Sequence, residues 1–386
     1  MKQAIQVPRS SHLPFVTRGV FIVLGMLLLA VWLLAVTSAD STPPPDFRKQ
    51  DSGQFQNPLQ SKKNALLFNL SNSQSLLQSL PEGCKADGLY PSPNGQWVSV
   101  QINCEEGGMT FILQTLSGQV WGTGMNVEAD SIFLGWSHDG NGMILLVDTL
   151  GNPRVYLIDI ASNMAQLIPV PPETYNVALS PDGQRMIYTL TKGLGYGSET
   201  WIADIDGQNA RRILAEPAHL ITFARWSPTG EHIAYIRIPD SNVPFPVGEL
   251  WITNGEGDNP ILLAEADGGR GHELIWSPDG GYVAFVGREN PNDPTANLSA
   301  ERLISNIYIA DMTDQTVFNA TQFSGALTEN PVWLSGNLLA FNTNAGGSMD
   351  VWTFDIQNRQ LQQTTSGANI DNAAWLLVGE NGSNTP

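Results

Sequence analysis

Cysteine is nearly missing from the 386-residue chain: there are two, too few for a disulfide-built miniprotein or a four-thiolate zinc site. Basic residues are scarce as well. Nineteen Lys and Arg stand against 37 Asp and Glu, a formal charge of −18, and a surface of that sign repels phosphate backbones and anionic lipid heads at long range. Nucleic acid is excluded as a partner on that ground. Helical periodicity is lacking beyond the first forty residues, whereas Gly and Pro number 37 and 25, a composition of turns. Chemical signatures are thin too. No G-x-S-x-G, H-x-x-x-H or H-E-x-x-H occurs in these residues, so the reading assigns no catalytic residue, no metal and no cofactor. With 42% hydrophobic residues the chain can nonetheless bury a sizeable core.

One long apolar run is present. Residues 19–36 read GVFIVLGMLLLAVWLLAV, and 21 uncharged residues separate Arg18 from Asp40. At 1.5 Å per residue this window is about 31 Å long, matching the hydrocarbon core of a bilayer. Lys2, Arg9 and Arg18 precede it with no acidic residue among them. The positive-inside bias therefore predicts a cytoplasmic tail at 1–18, a transmembrane signal-anchor at 19–39 and an extracytoplasmic remainder, periplasmic or at the cell surface. A cleaved signal peptide is the alternative, with Thr37-Ser38-Ala39 as its small residues, and it exports the domain equally. The exported part holds 16 basic and 37 acidic groups, net −21. Residues 40–63 (DSTPPPDFRKQDSGQFQNPLQSKK) have few apolar side chains and read as a flexible linker.

Residues 64–380 repeat. An aromatic or apolar residue followed by a Ser-Pro-Asp-Gly-like turn recurs at Tyr90 to Gly95, Trp136 to Gly140, Leu179 to Gly183, Trp226 to Gly230 and Trp276 to Gly280. It degrades at Trp333-Leu334-Ser335-Gly336 and ends in a lone Trp375. Successive turn glycines lie 45, 43, 47 and 50 residues apart, the length of a four-stranded propeller blade. Apolar strands such as Met143 to Val147 and Tyr282 to Val286 follow the turns, and a second strand pair follows those. Seven inner strands and seven outer pairs can be counted if residues 65–70 and 75–80 form one pair, with Asp371 to Leu377 completing it. The expectation is an all-β, seven-bladed propeller closed by both termini, with six blades as the alternative.

The repeated turn, together with WIADIDGQNARRIL from Trp201 to Leu214, resembles the WD40-like Pd repeat of TolB-type β-propellers, over roughly residues 64–377. The resemblance implies a propeller of the bacterial envelope. TolB itself has six blades and a separate N-terminal domain, so a chain with an anchor, a short tether and a seventh blade resembles the family as a membrane-anchored, non-TolB member.

If strands run outward from the axis, three connections between second and third strands are long: Thr191–Thr200, Pro239–Glu249 and Arg288–Ser305. They fall in consecutive blades and so crowd one sector of one face, and loops on a rigid scaffold commonly carry recognition. Tyr196, Phe245, Arg288, Glu289 and Arg302 are the candidate ligand contacts. The alternative is neutral insertion at tolerant loop tips. Gly193 to Gly197 lacks the lysine and the strand-to-helix setting of a phosphate loop. Asp139, Asp182 and Asp279 are expected to accept hydrogen bonds from their own turns. Cys84 and Cys104 flank the first hairpin at similar distances from its turn, which predicts a disulfide stabilising by up to about 3 kcal/mol. The function these features predict is non-catalytic binding of a protein, a peptide or envelope material, with membrane contact through the N-terminal helix. The alternative is a propeller enzyme acting on carbohydrate, lyase-like or glycosidase-like, with its site over the central channel.

Overall fold

The atoms of each Ser-Pro-Asp-Gly turn show why it closes a hairpin. In the computed structural model, which describes residues 84–367 apart from 105–106, 115–119, 123–129, 149–151 and 269–272, the turn serine acts as a relay. The Ser277 hydroxyl accepts from the Tyr282 N–H at 2.9 Å and donates to Asp279 at 2.6 Å. Asp279 in turn accepts from the Gly281 N–H at 3.0 Å. Ser180 with Asp182 and Ser137 with Asp139 do the same, and Asn94 and Thr229 stand in for the aspartate in two further turns. The glycine that follows sits at φ between +67° and +77° in all five, the left-handed region where a Cβ is costly.

Each turn opens a four-stranded antiparallel blade whose strands are contiguous in sequence. Blade 1 holds β1 (Lys85–Pro91), β2 (Trp97–Cys104), β3 (Gly107–Gln114) and β4 (Val120–Gly122); blade 2 holds β5 (Asp130–Trp136), β6 (Gly142–Asp148), β7 (Pro153–Asp159) and β8 (Met164–Ile168). Blade 3 comprises β9 (Thr174–Leu179), β10 (Arg185–Leu190), β11 (Ser198–Asp204) and β12 (Arg211–Glu216), and blade 4 comprises β13 (His219–Trp226), β14 (His232–Pro239), β15 (Val247–Asn254) and β16 (Ile261–Asp267). Blade 5 is built from β17 (Ile275–Trp276), β18 (Tyr282–Arg288), β19 (Ser305–Asp311) and β20 (Thr316–Asn319); blade 6 from β21 (Thr328–Trp333), β22 (Leu338–Thr343), β23 (Asp350–Asp355) and β24 (Gln360–Gln363).

The all-β propeller is as expected, but the described residues form six blades, not seven. The reason is that every turn-bearing repeat supplies all four of its own strands. Blade 1 runs from β1 to β4 without borrowing from residues 65–80. Those residues, Asp371 to Leu377, the linker and the apolar run at 19–39 lie outside the described residues. No described helix is long and apolar enough to cross a membrane.

The core lies between blades. On β6, Met143, Leu145 and Val147 pack toward Ile112 of blade 1, while Ile144 and Leu146 pack toward Val177, Leu179 and Met186 of blade 3. Side chains alternate with period two, so a strand buried on both faces is apolar at every position. Indoles add directional ties. Trp136 Nε1 donates to the Tyr90 carbonyl at 2.9 Å, Trp276 to Arg225 at 3.2 Å and Trp333 to Ile275 at 3.3 Å, each reaching the preceding blade. Cys84 and Cys104 are bonded, with Cα atoms 4.0 Å apart, one step beyond the Lys85–Asn103 register of the first hairpin.

Candidate functional site

The three long connections meet as one welded surface. In the first, between β10 and β11, Thr191 Oγ1 donates to the Gly197 carbonyl at 2.6 Å. Gly195 and Gly197 adopt φ of +84° and +68°, and a Cβ on Gly197 would lie 1.9 Å from the Glu216 carbonyl oxygen. This backbone turns two N–H groups toward one point, the arrangement of an anion nest. The anion is internal: Asp240 Oδ2, on the second connection, accepts from Gly195 and Gly197 at 2.7 Å each.

The second and third connections are joined as firmly. Phe245 N–H donates to the Asn297 carbonyl at 3.1 Å. The Arg288 guanidinium reaches the Phe245 carbonyl at 3.0 Å, Asn297 Oδ1 at 2.8 Å and Asp267 Oδ1 at 3.1 Å from its Nε. Arg288 and Asp267 are buried with essentially no side-chain exposure. Phe245, 2% exposed, packs on Ala296 and Leu303 in a small satellite core. Phe245 and Arg288 thus brace the platform from inside and present nothing to a ligand. Glu289 accepts from the Tyr308 hydroxyl at 2.6 Å, and burial, then that carboxylate, push the tyrosine up to about 12. Arg302 is exposed at the end of a short 3-10 turn, Ala300–Arg302, and its carbonyl accepts from Asn290 at 2.8 Å.

Tyr196 stands between the two clamped N–H groups and is 64% exposed. Two residues not singled out by the sequence join it: Val243 on the second connection, 37% exposed, and Leu298 on the third, 69% exposed. Each long connection therefore offers one apolar side chain to solvent from a backbone already fixed by its neighbours. A partner binding there would not have to order the loops, the usual cost of loop-mediated recognition.

The axis carries a second constellation. A β-bulge between Thr222 and Arg225 puts Phe223 at φ +54°, and bulges re-aim side chains. Arg225 leaves β13 to reach Glu273 at 2.6 Å, Asn176 Oδ1 at 2.7 Å and the Leu134 carbonyl at 2.8 Å. Those acceptors lie just ahead of β17 of blade 5, on blade 3 and on blade 2, so one guanidinium ties four blades together. At the residue before the turn aromatic the repeats carry Leu89, Gly135, Ala178, Arg225, Ile275 and Val332; Arg225 alone is charged. Among the described residues no three His, Cys, Asp or Glu side chains converge as a metal site.

With that geometry in view, the likenesses to known proteins are these. No family model matches. The sequence is 27% identical over 183 residues to a probable dipeptidyl peptidase 4 of Neosartorya fischeri, covering 44% of this chain and 24% of that protein. The chain thus spans about a quarter of the length of the curated relatives it matches. An oligogalacturonate lyase in complex with manganese superposes with a TM-score of 0.51 at 12% identity, covering 74% of this chain and 79% of that one. TolB from Acinetobacter baumannii aligns with a TM-score of 0.46 at 16% identity, covering 76% and 67%. TolB propellers are thus among the structural neighbours, and the lyase likeness shows the propeller fold alone.

Proposed function

We propose that the chain is a non-catalytic propeller that docks a protein or peptide of the bacterial envelope on the welded long-loop face. It is held outside the cytoplasm by the apolar segment at 19–39. The observation that carries the reading is the trio Tyr196, Val243 and Leu298, one exposed apolar side chain from each of three mutually braced connections. Exposed apolar groups on a rigid polar-rimmed surface are what a partner's anchor residues need. The Cys84–Cys104 bond supports an oxidising location, and the apolar run with its basic flank supports the anchor.

The test is capture from envelope extracts by the full chain in detergent, comparing wild type with a Tyr196→Ser, Leu298→Ser double variant. Loss of a captured protein with the variant, but not with Arg225→Gln, supports the platform. Equal capture by all three sinks it. The second reading, an enzyme acting on carbohydrate over the channel, draws on the convergence of Arg225, Glu273 and Asn176. It predicts turnover of an oligosaccharide that Arg225→Gln abolishes and the double variant leaves intact.

A further inference from the structure

The outermost strands of a propeller are sheet edges, and the six are not alike. The described lengths of β4, β8, β12, β16, β20 and β24 are 3, 5, 6, 7, 4 and 4 residues, so β16 offers the longest edge among the described residues. Blades 3 and 4 can be compared residue for residue. Arg211 and Arg212 pair across from Ile202 and Trp201 on β11; at the same places opposite Ile252 and Trp251, blade 4 carries Ile261 and Leu262. Charged residues on an edge discourage pairing with a further strand, and an uncharged apolar edge invites it.

The blade 3 arginines are engaged. Arg211 pairs with Glu256 and Arg212 with Glu199, at 2.8 and 2.9 Å. In blade 4 the counterpart of Glu199 is Glu249, and it is served from within by Arg237 at 2.6 Å and by Trp251 Nε1 at 2.8 Å. No edge arginine is required there. Ile261 and Leu262 are instead 43% and 49% exposed. Blade 5 shows the covered case, with Phe318 on β20 lying 3.7 Å beneath the Arg359 guanidinium.

Charge indicates what would pair. Glu265 on β16 stands directly opposite Glu249, a like-charge juxtaposition that is unfavourable in a sheet. Glu265 is exposed, as is Asp258 in the preceding turn, and the exported part of the chain is at −21. A second copy would bring the same charge, whereas a basic strand would relieve it. We infer that the β16 edge takes a fifth strand, an extended segment of a partner protein in which apolar and basic residues alternate. Main-chain hydrogen bonds would supply the affinity, and contact with Ile261, Leu262 and Glu265 the selection. This site lies on the outer rim and is independent of the long-loop platform.

The probe is a capped octapeptide of alternating valine and lysine, titrated onto the full chain in detergent, with a valine–glutamate octapeptide as control. Binding is read by fluorescence anisotropy and by slowed amide hydrogen exchange over residues 261–265. The lysine peptide is expected to bind and to protect that strand, more tightly at low salt. Ile261→Arg with Leu262→Arg, the residues blade 3 already holds at these places, is expected to weaken it tenfold or more. Glu265→Lys should weaken it too, and Tyr196→Ser with Leu298→Ser should leave it unchanged. The proposal is overturned by absent binding, by equal binding of the glutamate peptide, or by indifference to the edge variants. Self-association of the chain that the double arginine variant abolishes would overturn it as well.

Discussion

The two faces of this propeller solve the same backbone problem in opposite ways. On the tight-turn face, five turns repeat one device in which a serine hydroxyl and a short polar side chain satisfy the local N–H groups within six residues. On the long-loop face local bonds such as Thr191 to Gly197 are joined by remote ones: Asp240 holds glycines 43 and 45 positions away, and Arg288 reaches back 43 residues to Phe245. Local satisfaction gives a periodic scaffold. Remote satisfaction ties particular blades together and leaves the loop tips free to differ.

The largest predicted effect strikes the remote side. Arg288→Met leaves the Asp267 carboxylate without its guanidinium in a dry site and should cost about 3–5 kcal/mol in urea unfolding. Adding Asp267→Leu should recover part of that loss. Removing one local relay should cost less. Ser277→Ala deletes a hydroxyl that serves one N–H and one carboxylate, a loss of about 1–2 kcal/mol by the same measurement.

The carboxylates of the tight turns add a dependence on pH. Asp182 is held below the ordinary carboxylate range by the Ser180 hydroxyl first and the Gln184 N–H second, and Asp139 and Asp279 are lowered likewise, with Ser137 and Ser277 as the leading causes. A folded-state value depressed below 3.8 means the contribution is fully present above the unfolded value and fades as pH falls through the folded one. Stability should therefore decline below about pH 4, with part of that slope removed by Asp182→Asn. The turns built on Asn94 and Thr229 have nothing to titrate. The smallest effect on stability is expected from Tyr196→Ser, within about 0.5 kcal/mol. Partner capture, by contrast, should be lost, which would separate the loop tips from the frame beneath them.

Much of the scaffold was legible because its causes are local. A serine, a carboxylate and a glycine in fixed order report a turn wherever they occur, and an aromatic residue just before them reports an inner strand. The blade count was misread where the logic ceased to be local, when pieces at both ends were added to repeats already complete in themselves. The long connections could be found by length, but not which of their side chains face inward. Phe245 and Arg288 look like surface residues until Asn297, 52 and 9 positions further along, closes over them. Arg225 was within reach of the sequence: aligning the residue before each turn aromatic exposes one charge in an apolar column. Val243 and Leu298 needed the fold, since exposure is decided by what a loop packs on.

The indole ties give the array a polarity. Trp136, Trp276 and Trp333 each donate backward to a blade made earlier, so every acceptor is synthesised before its donor. Deleting blade 6 uncovers the Ile275 carbonyl and deleting blade 1 uncovers the Trp136 indole N–H, and water serves either. Nested truncations from either end should accordingly lose protease resistance through the apolar blade faces they uncover.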